Sequence, residues 1–178
     1  MNNTYFVPKT VAGLALPPTI ASEIAGPLGV FHLMRLWVKT SLHCANILSP
    51  NYGLFDEEVF DNLTLDTLGI TKDRYMKFMG CIPTPSYMEL ENWIKSEPGV
   101  KLDIETRDRL NTEILDARFS EKEALAILSD LKLDRSSCPS NSVIMLTKLR
   151  DARSMERLTT IIKVLQVMHV MHVMHVRV

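Results

Sequence analysis

The stretch from Leu28 to Leu48 constrains this chain more than any other. It reads as one long helix with an apolar body: Leu28, Val30, Phe31, Leu33, Met34, Trp37, Val38, Leu42, Ile47 and Leu48 leave little room for a solvated face. A helix apolar on nearly all sides is the centre of a domain, with other elements packed around it. The same stretch carries His32, Arg35, Lys39 and His43. Positions three and four apart are neighbours on a helix surface, so these four side chains follow one stripe. Buried cations are costly unless compensated. The stripe therefore meets carboxylates of the same chain, faces water, or lines a pocket for an anion.

The helical reading extends along the chain. Thr19 is placed to cap a short helix over Ile20–Ala25, closed by Gly26 and Pro27. Asp56 opens a helix with Glu57 and Glu58 in its first turn and apolar Val59, Phe60, Leu63, Leu65 and Leu68 at helical spacing. Gly69 suits a left-handed C-cap, and Thr71 starts the next helix. Ser86–Glu89 and Ser120–Glu123 have capping-box spacing, and Asp103 begins a helix between them. A last helix runs from about Val143 towards Val164. No segment alternates with period two, so an all-α, single-domain irregular helical bundle around residues 28–48 is expected. The domain is drawn over residues 1–166. Residues 167–178 form a Val-Met-His repeat tail, in which His169, His172 and His175 are three apart. That spacing permits metal chelation between adjacent pairs, but a low-complexity extension is the simpler reading.

Composition narrows function by exclusion. With 20 Lys+Arg against 21 Asp+Glu, the chain lacks the basic surplus that marks nucleic-acid binding. Cys44, Cys81 and Cys138 have no metal-ligand spacing, and scattered thiols of odd number suit a cytoplasmic protein. The N-terminus lacks the pattern of a signal peptide. The charges within residues 28–48 argue against a membrane span. No glycine-rich phosphate loop, nucleophile elbow or zinc-protease signature is present, so no cofactor is expected.

The segments Gly29–Lys39, Leu65–Ile70 and Trp93–Ile94 resemble a family of small bacterial helical proteins catalogued as a domain of unknown function. The most specific part is a Gly-x-x-His-Leu-x-Arg-x-x-x-Lys pattern; weaker echoes occur at Asn111 and from Asp134 to Asp151. Val38 stands where the family pattern commonly has Asp before the Lys. The resemblance covers roughly residues 7–155 and implies motif status for His32, Arg35 and Lys39, with no established activity.

Two main functional readings follow. In the first, the protein is an enzyme or binder of a small anionic or carbonyl-bearing molecule. Arg35 supplies a planar fork for carboxylate or phosphate, and Lys39 and His43 add positive charge. His32 is the acid/base candidate, oriented by Tyr52 and Asp66. In the second, it is a helical interaction module or homo-oligomer in which the same residues form a structural ion-pair network. A metal site built from His32 and His43 with Asp61 or Asp66 ranks behind both, because the two histidines lie roughly 16 Å apart along one helix.

Overall fold

The computed structural model describes residues 15–55, 59–136 and 138–175. Among them are seven α-helices and no strand: α1 Leu33–Cys44, α2 Val59–Leu68, α3 Lys72–Met79, α4 Tyr87–Ser96, α5 Ile104–Asp116, α6 Glu121–Asp130 and α7 Val143–His175. Helix α1 packs on α2, α3 and α4; α5 packs on α2, and α6 on α7. The bundle is all-α, with α1 as its hub.

The expected caps form as the spacing predicts. The Thr71 and Asp103 side chains accept from the backbone N–H groups of Arg74 and Thr106, opening α3 and α5. Ser86 with Glu89, and Ser120 with Glu123, complete reciprocal capping boxes. Gly69, with φ 75°, turns the chain after α2 into the left-handed region, where a side chain would be strained. The expected cap at Asp56 and the acids at Glu57 and Glu58 lie outside the described residues.

The long helix expected over residues 28–48 is shorter at both ends. It begins at Leu33, because Gly29 and His32 both adopt left-handed backbone, φ 71° and 64°. Residues 28–31 instead form a loop whose polar groups are met from α4 and α5. Glu91 accepts from the Leu28 N–H, and Asn111 bridges the Phe31 N–H and the Gly29 carbonyl. Arg107 donates to the Leu28 carbonyl. Gly26 fits this seam only as glycine: an added Cβ would stand 2.4 Å from the Tyr87 ring and 2.5 Å from Glu91 Oε1. The expected helix over Ile20–Ala25 is absent too. The carbonyls of Pro18 and Ile20 accept from Arg35, and that of Ser22 accepts from the His32 N–H, so they are committed to tertiary bonds.

The main core gathers around α1, with Leu33, Leu36, Leu65, Leu68, Leu90, Ile94, Leu110 and Ile114 essentially inaccessible. A second, smaller cluster joins Ala124 and Leu128 of α6 to Leu146 of α7 and Cys138. The two tryptophans pack against the main core but are half-buried. The Trp37 indole donates to the Pro85 carbonyl at 2.9 Å, and Trp93 stacks on Phe78 at 4.6 Å between centroids. Helix α7 continues through His175, so the backbone of the Val-Met-His repeat extends it. No helix of the described residues is long and apolar enough to cross a membrane.

Candidate functional site

Two buried ion-pair systems occupy the seam between the loop, α1, α2 and α7. In the first, Asp61 of α2 lies between His32 and Lys39. Its Oδ1 is 2.7 Å from His32 Nε2 and its Oδ2 is 2.5 Å from Lys39 Nζ. Oδ2 also accepts from the Phe55 N–H at 3.2 Å. All three side chains are within 1 % of full burial. Asp61 reaches them because it follows Phe60 on the inward side of α2.

An ionised carboxylate can only accept, so His32 Nε2 carries the proton and Nδ1 presents its lone pair. The Ser22 hydroxyl, 3.0 Å away, donates to Nδ1. Burial holds the imidazole below its ordinary range, outweighing the bond to Asp61 and its negative charge; the Lys39 and Arg35 charges act in the same direction as burial. His32 is thus a neutral base of defined tautomer. Burial alone would raise the Asp61 carboxyl, but the His32 bond and the Lys39 charge overcome it and hold the group below the usual carboxylate range.

His32 holds this position at a conformational cost. A left-handed backbone at a residue bearing a side chain costs about 1–3 kcal/mol and persists where surrounding bonds over-determine it. Here the His32 N–H donates to the Ser22 carbonyl at 2.6 Å while the ring is held at both nitrogens.

In the second system, Arg35 grips Asp151 of α7 through two parallel bonds, Nη1–Oδ2 at 2.6 Å and Nη2–Oδ1 at 3.1 Å. Nη1 also donates to the carbonyls of Pro18 and Ile20. Its Nε–H is buried and has no acceptor among the described residues. The Tyr52 ring lies beside two guanidinium groups, 6.0 Å from that of Arg35 and 5.2 Å from that of Arg150. Burial pushes the Tyr52 phenol up to about 12, and its oxygen lies 3.3 Å from Ser154 Oγ.

His32 and Arg35 form part of the wall of a cavity of about 330 Å3. Ser22, Arg118, Thr147 and Arg150 add polar groups, while Phe60, Phe119, Ile127 and Val143 supply apolar surface. The acid on this wall, Glu123, is engaged in the α6 capping box.

Of the expected site residues, His32, Arg35, Lys39 and Tyr52 come together in this seam. His43 and Asp66 do not. His43 is exposed in the last turn of α1, where a basic group complements the helix dipole. Asp66 is exposed as well: five residues beyond Asp61, it is turned roughly 140° around α2. Asp61 therefore occupies the orienting position expected of Asp66. Lys39 contacts Asp61 directly, so its charge acts through that carboxylate, and Arg35 is already bonded to Asp151. Among the described residues, no group of three or more His, Cys, Asp or Glu side chains is placed to hold a metal. Ser22 and Asp151 carried no sequence signal as site residues, because both acquire their roles through contacts with α1 formed by folding. No family model matches this chain, and no curated protein or solved structure matches it significantly.

Proposed function

We propose that this protein binds a small anionic or carbonyl-bearing molecule in the seam cavity, with His32 as its acid/base group. The observation that carries the reading is the cavity itself. Neutral His32, three arginines and an apolar lining converge on about 330 Å3, at the small end of the roughly 300–1,000 Å3 typical of ligand pockets. Guanidinium groups at the wall favour carboxylate or phosphate, and the phenylalanines favour a ligand with an apolar body. Asp61 and Asp151 hold His32 and Arg35 in place, while Arg118 and Arg150 complete the cationic wall. The resemblance of the Gly29–Lys39 motif brings no activity with it.

A second reading is supported by the pairing of Lys39 with Asp61 and of Arg35 with Asp151: a structural ion-pair network within a helical module. A thermal-shift screen of small carboxylates and phosphates separates the two. Binding to the folded state raises the melting temperature, by roughly 2.7 kcal/mol of stabilisation at a hundredfold excess over Kd. The binding reading expects such a shift, reduced in Arg118→Ala and Arg150→Ala. A flat response across the screen favours the structural network.

A further inference from the structure

We propose that Ser22, His32 and Asp61 form a nucleophilic relay that hydrolyses a small carboxylate-bearing ester in the seam cavity. The inference rests on the binding reading above and adds a reaction to it. Its basis is connectivity: Ser22 Oγ to His32 Nδ1 at 3.0 Å, and His32 Nε2 to Asp61 Oδ1 at 2.7 Å. A serine hydroxyl is a weak nucleophile until a base accepts its proton, and the base needs a third group to fix its tautomer and orientation. All three roles are filled. Asp61 fixes the proton on Nε2, leaving Nδ1 free to accept from Ser22. Both ring nitrogens are used, so the imidazole cannot rotate without losing a bond.

Three further observations point the same way. Ser22 and His32, 4 % and 1 % exposed, both border the cavity, so the nucleophile and base share one wall. His32 holds left-handed backbone, as residues constrained for function often do. Arg35, on the same wall, has a buried Nε–H with no acceptor among the described residues. That donor is the candidate to meet the oxyanion of a tetrahedral intermediate. The remaining arginines suit a carboxylate on the acyl group.

The chemistry balances with water as the second reactant. Ser22 Oγ bonds to the ester carbonyl carbon as its proton passes to His32 Nδ1. The tetrahedral adduct collapses, the carbon–alkoxy bond breaks, and Nδ1 returns the proton to the departing alcohol. Water then attacks the acyl-serine, giving a proton to Nδ1. The carbon–Oγ bond breaks, Ser22 recovers the proton, and the acid leaves. Asp61 is a positioning residue throughout and remains ionised.

The test uses the full chain with p-nitrophenyl succinate as substrate, succinate as non-reacting ligand and a fluorophosphonate as serine probe. The probe is expected to add one equivalent, mapped by peptide mass spectrometry to Ser22. Ser22→Ala is expected to remove the adduct and lower ester turnover by about 100-fold or more, while succinate binding stays within about threefold. Asp61→Asn is expected to lower kcat by at least about tenfold with KM nearly unchanged, and to move the acid limb of the pH profile. A merely structural Asp61 would change the melting temperature and leave that limb in place. Because Asp61→Asn could unfold the protein, Ser22 mapping on the unmodified chain is the deciding measurement. No adduct at Ser22, or equal turnover in Ser22→Ala, overturns the relay. If succinate still binds, the binding reading survives; if succinate also fails to bind, both fall.

Discussion

The two carboxylates that compensate the cations of α1 sit in different surroundings. Asp61 is inaccessible, comes from a helix packed directly on α1, and bonds His32, Lys39 and the Phe55 N–H at once. Asp151 comes from α7, at the edge of the smaller α6–α7 cluster, and its side chain is 10 % exposed. The first pair lies within the main core; the second ties a peripheral unit to it. One member of each system, His32 and Arg35, borders the cavity.

The largest expected effect tests that contrast. Asp61→Ala removes the buried carboxylate that bonds both His32 and Lys39 and should cost about 3–5 kcal/mol in urea unfolding. Asp151→Ala should cost less, about 2–3 kcal/mol, because Arg35 keeps the Pro18 and Ile20 carbonyls and the site is nearer water. Equal losses would erase the distinction. Trp93→Ala comes next. Half-buried and stacked on Phe78, it should cost about 2–3 kcal/mol, below the roughly 3–5 kcal/mol of a fully buried aromatic. A loss under about 1 kcal/mol would place α4 outside the cooperative core.

Acidification should disrupt the Asp61 system in two steps without mutation. His32 is held below its ordinary value near 6.5, so protons bind the unfolded chain more readily. Its contribution is intact above that value and is lost as pH falls below it. Asp61 is also depressed, so its contribution is intact above its ordinary value near 3.8 and is lost as pH falls through the lower folded value. Stability should therefore decline first below about pH 6.5 and again below about 3.8. In His32→Gln the first step should vanish; its persistence would assign that step to another group. The smallest effect belongs to the peripheral unit. Ser120→Ala removes one half of the α6 capping box and should cost about 1 kcal/mol, with faster amide exchange in α6 than in α2. Equal acceleration in both helices would mean that α6 is not separately stabilised.

The caps that open α3, α4, α5 and α6 were legible, because their signals are local. Thr71, Ser86, Asp103 and Ser120 each act within three residues, and Gly69 needs only its own backbone freedom. The start of α1 was not. Leu28–His32 has helical composition, yet its polar groups are captured by Glu91, Asn111 and Arg107 from distant helices. The site was half legible for the same reason. The cationic stripe could be read from spacing, and its need for compensation from electrostatics. Which acids would answer depended on how α2 and α7 approach α1, and spacing alone does not distinguish Asp61 from Asp66.

The Arg35–Asp151 pair also has a consequence in time. Its partners are separated by 116 residues. At synthesis rates of about 5–20 residues per second, Arg35 leaves the ribosome roughly 6–23 s before its counter-ion. A guanidinium without its carboxylate resists dehydration, so the wall formed by residues 18–35 is expected to close only after α7 emerges. A nascent chain arrested before Asp151 leaves the exit tunnel should therefore be cleaved by protease within residues 18–35, and release should protect it. Equal protection in both states would show that the wall closes without its late-arriving acid.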